Sequence, residues 1–382
     1  MKVINVFFAL VRNAVFGLDL GETKNLITPE ILPSLYNLSK KHDLAHLVCD
    51  SLDKNGVLVG EETIVKRFIK SRNTAYYRHE LLEYELEQIC AVLEKSKIPF
   101  MPLKGSLIRK YYNESWMRTS CDIDVLVKEQ DVPSAIEILC AELSYKKGNN
   151  GSHDVNLTSP SGISLELHFS LTEDQKWQDL FCAVWDKTLD GKAYHYAMSN
   201  EMIYVYHIVH MAVHMRTGGC GVKPFIDLLM LLEKMPFNKE ITNDLLVKAD
   251  LKEFEIASIK LAMAWLKTGE LNETDKLFEE YVLTGGVYGT IQNRVLVEQT
   301  KKGGKFRYIL SRIFVNYKDL SIKYPSLKKC KILFPFYQIY RWFDLAFNKK
   351  SRTYTKSTIK NTKTTTKEQI DKTRELFNKI GL

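Results

Sequence analysis

Residues 98–127 read IPFMPLKGSLIRKYYNESWMRTSCDIDVLV. The first six form a short apolar run of strand character, Gly105 and Ser106 interrupt it, and LIRKYY suits a helix. CDIDVLV (121–127) then alternates and turns apolar, as a core strand does. Strand, helix and strand thus follow one another in a single short stretch.

Outward from this stretch the periods change. Residues 1–97 read as helical: Pro29 follows Thr28 as a first-turn proline, and Leu82, Leu86, Ile89 and Leu93 recur at helical spacing before Pro99 ends the pattern. Downstream, Asp131 is positioned to cap a helix carrying Ile136, Leu139 and Leu143. VNLTSPSGISLELHF (155–169) puts Ser159, Pro160, Ser161 and Gly162 between two alternating runs, which predicts a hairpin. Residues 199–290 return to helices, and MIYVYHIVHMAVHM (202–215) is apolar nearly all round, as in a helix buried on most sides. The expected organisation is α+β: an N-terminal helical region (1–97), a core of small mixed sheet with flanking helices (98–190), a helical domain closing the cleft (191–300) and a basic aromatic C-terminal region (301–382). Within the last, KSTIKNTKTTTKEQ has little to bury and is expected to be mobile.

Composition excludes several classes. The chain has 382 residues, of which 45% are hydrophobic and 26% charged, the make-up of a folded globular protein. Arg12 and Arg341 with Asp344 break the two longest apolar runs, so no spanning helix is expected. Arg12 and Asn13 also stand where a signal peptide would carry small residues, so the N-terminal run is read as a mature amphipathic helix. The seven cysteines are scattered and contain no CxxC pair, which points to a reduced, cytoplasmic setting. The net charge of +8 is uneven: residues 301–382 hold 21 Lys and Arg against 5 Asp and Glu, a local +16 that leaves −8 for residues 1–300.

The chemistry concentrates on three acids. Asp122 and Asp124 are two apart on a strand, so both carboxylates project from one face while Ile123 points to the other. Two like charges side by side ask for a cation, and hard carboxylate oxygens suit Mg²⁺ shared with substrate phosphates. In ISLEL the alternation sets Ser164, Glu166 and His168 on one face, so a neighbouring strand could bring Glu166 beside the pair, and three acids allow two metals. Gly105 and Ser106, at the start of a helix, form a candidate phosphate cradle without a Walker lysine pattern.

Strand, Gly-Ser turn, helix, Asp-x-Asp strand and a later acid-bearing strand is the order of the polymerase β-like nucleotidyltransferase fold. The run from Pro99 to Val127, the strand pair ending in LELHF (165–169), the histidine-bearing helix and FIDLL (225–229) resemble a broad family of uncharacterised bacterial nucleotidyltransferases; YPSLKK (324–329) and LFPF (333–336) are similar to its C-terminal portion. The resemblance runs from about residue 40 to 345. It implies a polymerase β-like core, with Asp122, Asp124 and Glu166 as catalytic metal ligands, Glu166 as third ligand or general base, and Gly105 with Ser106 at the nucleotide's phosphates. Phe169 fits the aromatic that often follows the family's histidine. Two ions, Mg²⁺ or Mn²⁺, and an NTP are implied as cofactors and substrate. Lys104 and Arg118 are candidates to neutralise the triphosphate, whereas Arg109 is expected to be solvated.

Other residues carry both a functional and a plainer reading. His207, His210 and His214 share one helix face, with metal-compatible spacing in the last two, but the HExxH glutamate is absent and their neighbours are apolar, which favours core or cleft-lining histidines. Asp227 is expected to pair with a histidine or a backbone donor. His168 shares the Glu166 face and could touch acceptor or phosphate, or bond within the sheet; His153 lies on the partner strand. The basic aromatic tail suits nucleic acid or an anionic membrane surface, and also packing of the aromatics of 324–347 on the acidic remainder of the chain, the favoured reading.

Three functional readings result. The first is a nucleotidyltransferase moving a nucleoside monophosphate from an NTP to a hydroxyl or phosphate of a small molecule or protein. The second is a catalytically idle fold that senses nucleotide or docks partners. The third, a metallohydrolase on the 207–214 helix, lacks further ligands.

Overall fold

A computed structural model describes residues 2–382 apart from positions 190, 288 and 325. The chain divides into two compact units, one running up to His210 and from Val222 to Asn272, the other comprising Met211–Gly221 and Glu273–Leu382.

The first unit opens with helices α1 (Lys2–Phe16), α2 (Leu32–Lys41), α3 (Ala45–Lys54) and the long α4 (Glu62–Lys95). Leu82, Ile89 and Leu93 belong to the buried stripe of α4, and Lys97, at φ 57°, turns the chain out of the helix before Pro99. Then follow β1 (Phe100–Pro102), α5 (Gly105–Ile108), β2 (Asp122–Val127), α6 (Val132–Leu143), β3 (Lys146–Asn150), β4 (Asp154–Thr158), β5 (Ser164–His168) and α7 (Gln175–Leu180). The helices α8 (Asn200–Thr217), α9 (Lys223–Lys234), α10 (Lys239–Ala249) and α11 (Lys252–Leu266) follow, α8 belonging to this unit through His210. Asp131 stands at the N-cap of α6, but its side chain makes no cap hydrogen bond, because its backbone is already helical and continues a preceding 3₁₀ turn. From Ile203 to Val209, α8 is buried throughout, as its all-round apolar sequence requires.

The five strands form one mixed sheet in the order β1-β2-β5-β4-β3. Only β2 and β5 run parallel; the other neighbours are antiparallel, and β4–β5 is the expected hairpin. Ile123, Val125, Val127, Leu165 and Leu167 pack with α4 and α6 residues into one core. Strand alternation then forces Asp122, Asp124, Glu166 and His168 to the opposite face. The α+β architecture, with a small mixed sheet between helical regions, is the one the sequence indicates.

The second unit holds α12 (Glu273–Gly285), α13 (Ile291–Lys301), α14 (Lys305–Ile313), α15 (Tyr317–Lys323), α16 (Ser326–Lys329), α17 (Phe334–Phe347), α18 (Lys349–Thr364) and α19 (Lys367–Lys379). The Thr/Lys-rich stretch expected to be mobile is helical here. Thr358, Thr362 and Thr365 are buried at helical spacing, and the hydroxyls of Thr362 and Thr365 donate to the carbonyls four residues back, so a threonine face is buried with its polar groups satisfied. Thr366 and Gln369 then form a capping box that starts α19. The aromatics expected to pack inward differ too: Phe336, Tyr340, Phe343 and Phe347 are exposed. Among the described residues all seven cysteines are free thiols, and no helix is long and apolar enough to cross a membrane.

Candidate active site

The site begins with the register of two strands. Asp124 stands opposite Glu166 and Asp122 opposite Ser164 across the parallel β2–β5 pair, so Glu166 is delivered beside the Asp-x-Asp face as the alternation requires. The tightest group of ligand atoms is Asp124, Glu166 and His168, all within 4.8 Å of one another. Asp122 lies one pleat nearer the strand start, on the same face. Among the described residues no group of metal-ligand geometry forms on the 207–214 helix.

Two donors meet at one oxygen. Lys104 Nζ donates to Asp124 Oδ1 at 2.7 Å and His168 Nε2 stands 2.8 Å from the same atom. The Asp124 carboxylate can only accept, which assigns the proton to His168 Nε2, so the 3.5 Å approach of Lys104 Nζ to that nitrogen is the meeting of two donors rather than a hydrogen bond. Glu166 Oε2 lies 3.4 Å from His168 and 3.8 Å from Lys104. Lys104 itself sits at φ 49°, ψ −115°, a backbone region that a non-glycine residue occupies at a cost of roughly 1–3 kcal/mol.

The electrostatics follow from burial and neighbours. Burial, then the like charges of Asp124 and Glu166, push the Asp122 carboxyl up to about 6. Burial would also raise Asp124, but Lys104 and the His168 hydrogen bond outweigh it and hold its carboxyl below the usual range. Burial works to deprotonate Lys104 and His168; the acidic partners overcome it and raise both.

The turn after β1 is tighter than its sequence suggests. A Cβ on Gly105 would meet Arg118 Nη1 and the Ser120 side chain at 3.2 Å, so the chain packs closely on itself here and a side chain at this position would need those neighbours to yield. The amides of Ser106 and Leu107 already donate to the Leu103 and Lys104 carbonyls, so neither is free for a ligand.

Arg118 is placed differently from the expectation. Its Nη2 donates to Asp227 Oδ2 at 2.8 Å, its Nε reaches both Asp227 oxygens at 3.2 Å, and Nη1 donates to the Thr119 carbonyl. Asp227 is fully buried and also accepts the Tyr112 hydroxyl at 2.6 Å. Its partner is thus an arginine rather than a histidine, and the pair braces the loop before β2 against α9. Lys223 adds a second tie, donating to Asp43 and to Thr119 Oγ1. Arg109, expected to be solvated, is buried: it donates to Glu83, to the Gly105 carbonyl and to Ser120 Oγ.

Of the helix histidines, His207 is buried, with Nε2 donating to the Pro224 carbonyl at 2.9 Å. His210 is half-buried, its ring 6.2 Å from that of Tyr206. His214 falls among the residues of the second unit. Tyr206 was not singled out by the sequence. Burial pushes its hydroxyl up to about 12 against the pull of Lys104, with Asp124 and Glu166 adding to the rise. An all-apolar helix gave no periodic signal to mark it. The His153 ring lies tilted against that of His168 at 5.4 Å between centroids, and its Nδ1 stands 3.3 Å from Glu173.

No curated protein and no solved structure matched the chain. A family model described as "uncharacterised nucleotidyltransferase" matches residues 31–267, more than half of the chain and the whole of this site. The β-strand pair with its facing acids, the glycine-bearing turn and the helices behind them all lie within the matched residues, and the chain belongs to the uncharacterised nucleotidyltransferases.

Proposed function

We propose that the chain transfers a nucleoside monophosphate from an NTP to a hydroxyl or phosphate of a small molecule or protein, with Mg²⁺ or Mn²⁺ held by Asp122, Asp124 and Glu166. The observation that carries this reading is the Asp124–Glu166 register with Asp122 on the same face. The donor set fits a divalent ion: Asp124, Glu166 and His168 bring ligand atoms within 4.8 Å of one another, Asp122 lies on the same face, and burial together with the like charges of Asp124 and Glu166 raises the Asp122 carboxyl to about 6, a cost that a cation would relieve. Two such ions, when bound, supply charge at the α-phosphate and acidify the acceptor hydroxyl.

The chain's own residues supply position and proton handling. The acceptor oxygen attacks the α-phosphorus in line; its bond to phosphorus forms as the bond to the departing pyrophosphate breaks. Glu166, whose side chain is 33% exposed against 5% for Asp124, takes the acceptor's proton. Lys104 lies between the carboxylates and the triphosphate and balances both, Ser106 donates its hydroxyl to a phosphate oxygen, and His168 fixes the orientation of Asp124. Arg118 and Asp227 act as a brace that holds the loop before β2.

One observation favours the catalytically idle reading: Asp124 Oδ1 already takes two protein donors. Incubation of the chain with Mg²⁺, cell extract and each of four α-labelled NTPs separates the two. Transfer of label to an acceptor with release of pyrophosphate, reduced roughly a hundredfold or more by Asp122→Asn in a folded variant, is the expected result. Nucleotide binding without transfer to any acceptor overturns the catalytic reading.

A further inference from the structure

The second unit carries two helices whose apolar stripes face outward. On α14, Phe306, Ile309, Leu310 and Ile313 recur at i, i+3, i+4 and i+7, the pattern that normally seeks a core, yet all four are exposed, Phe306 by 72%. Tyr308, on the opposite side, is buried. On α17, Phe336, Ile339, Tyr340, Phe343 and Phe347 repeat the arrangement, with Phe336 66% and Phe347 79% exposed, while the polar Gln338 and Arg341 are buried. Arg341 donates to the carbonyls of Arg312 and Ile313, and Trp342 Nε1 to that of Ile313 at 2.9 Å, so the side of α17 is fastened to the end of α14 and the two stripes adjoin.

We propose that this surface docks the protein onto an anionic lipid bilayer, with α14 and α17 lying in the interface. Charge selects the partner. Arg307 and Arg312 are exposed, and at 100° per residue they flank the α14 stripe on either side, where long basic side chains reach lipid headgroups while the stripe enters the acyl boundary. Lys328, Lys329 and Lys331, also exposed, precede α17. The +16 of residues 301–382 opposes a second copy of the same surface. Isoleucine and leucine in the stripes bury in hydrocarbon but do not stack on bases, which separates this surface from a nucleic-acid platform. Among the described residues no helix is long and apolar enough to span, so the contact lies on the membrane face.

The test is co-sedimentation of the full chain with vesicles of phosphatidylcholine alone or mixed with phosphatidylglycerol. Binding to the mixed vesicles, weaker on neutral ones and weakened by salt, is expected. Phe336→Ser with Phe343→Ser lowers the partition constant on the order of tenfold or more. Arg307→Glu with Arg312→Glu removes the preference for anionic lipid; thermal melts of both variants match the parent, since the altered side chains are exposed. Failure of the folded parent chain to bind either vesicle overturns the proposal. So does tighter binding to single-stranded RNA or polyglutamate than to anionic vesicles, or a dimer that forms without lipid and is abolished by the phenylalanine substitutions.

Discussion

Asp124 and Glu166 face each other across the parallel strands β2 and β5, and a single oxygen of Asp124 takes hydrogen bonds from both Lys104 and His168. That oxygen is the electrostatic centre of the site. The acid one pleat away, Asp122, is left with like charges and burial, and the two aspartates of one motif are driven in opposite directions.

The elevation of Asp122 makes it a cost to folding at neutral pH. Its folded value near 6 stands above the ordinary 3.8, so the folded state binds the proton more tightly, and stability is lost as pH rises from about 4 through about 6. Asp122→Asn removes that loss. In chelator-containing buffer the variant is expected to be more stable than the parent at pH 7.5, by on the order of 1–3 kcal/mol in urea denaturation, with the gap closing towards pH 4. A variant no more stable than the parent at pH 7.5 would remove the like-charge reading of this residue.

His168 has the opposite dependence. Its imidazole is raised above 6.5, against burial, by its bonds to Asp124 and Glu166, so its ionic contribution is fully present below 6.5 and lost as pH climbs through the raised value. The melting-temperature gap between parent and His168→Gln should therefore be wider at pH 6 than at pH 9. Equal gaps at both would mean that the histidine serves packing alone.

The buried Arg118–Asp227 pair is predicted to matter to stability through its partner. Asp227→Leu leaves a buried guanidinium unpaired and should cost about 3–5 kcal/mol, most of which Arg118→Met restores in the double variant. A double-mutant cycle by denaturant melts measures this, and additive losses would show that the two side chains act independently.

Sequence and structure agree where the physics is local. Alternation was enough to group Asp122 with Asp124 along CDIDVLV and Glu166 with His168 along ISLELH, because the side-chain period of a strand is a property of the strand alone. The register that sets Glu166 against Asp124 rather than Asp122 depends on how two distant segments slide together, and no local pattern encodes it. Arg118 and Asp227 are 109 residues apart, so their pairing was equally hidden, and Arg109 was read as solvated for the same reason. Tyr206 lies in a helix apolar on every side, where periodicity has no contrast to offer. The helical threonine tract shows a different gap: its burial uses hydroxyls bonded to their own helix, a device that composition cannot weigh.

Gly105 tests the packing of the turn directly. Gly105→Ala sets a methyl 3.2 Å from Arg118 Nη1 and Ser120 Oγ and should cost roughly 1–3 kcal/mol. Ser120→Gly in the same chain recovers part of it by removing one of the two side chains the methyl meets. If the alanine variant melts with the parent, the close approach is not what demands glycine here.

Manganese binding addresses the three acids most directly. Titration of the chain with Mn²⁺ beside a non-hydrolysable NTP, followed by the loss of the free-ion paramagnetic signal, should show ions taken up in the parent and released in folded Asp124→Asn and Glu166→Gln variants. Uptake that both variants retain in full, or none in the parent with nucleotide present, would place the divalent ions elsewhere and leave the facing carboxylates without their assigned role.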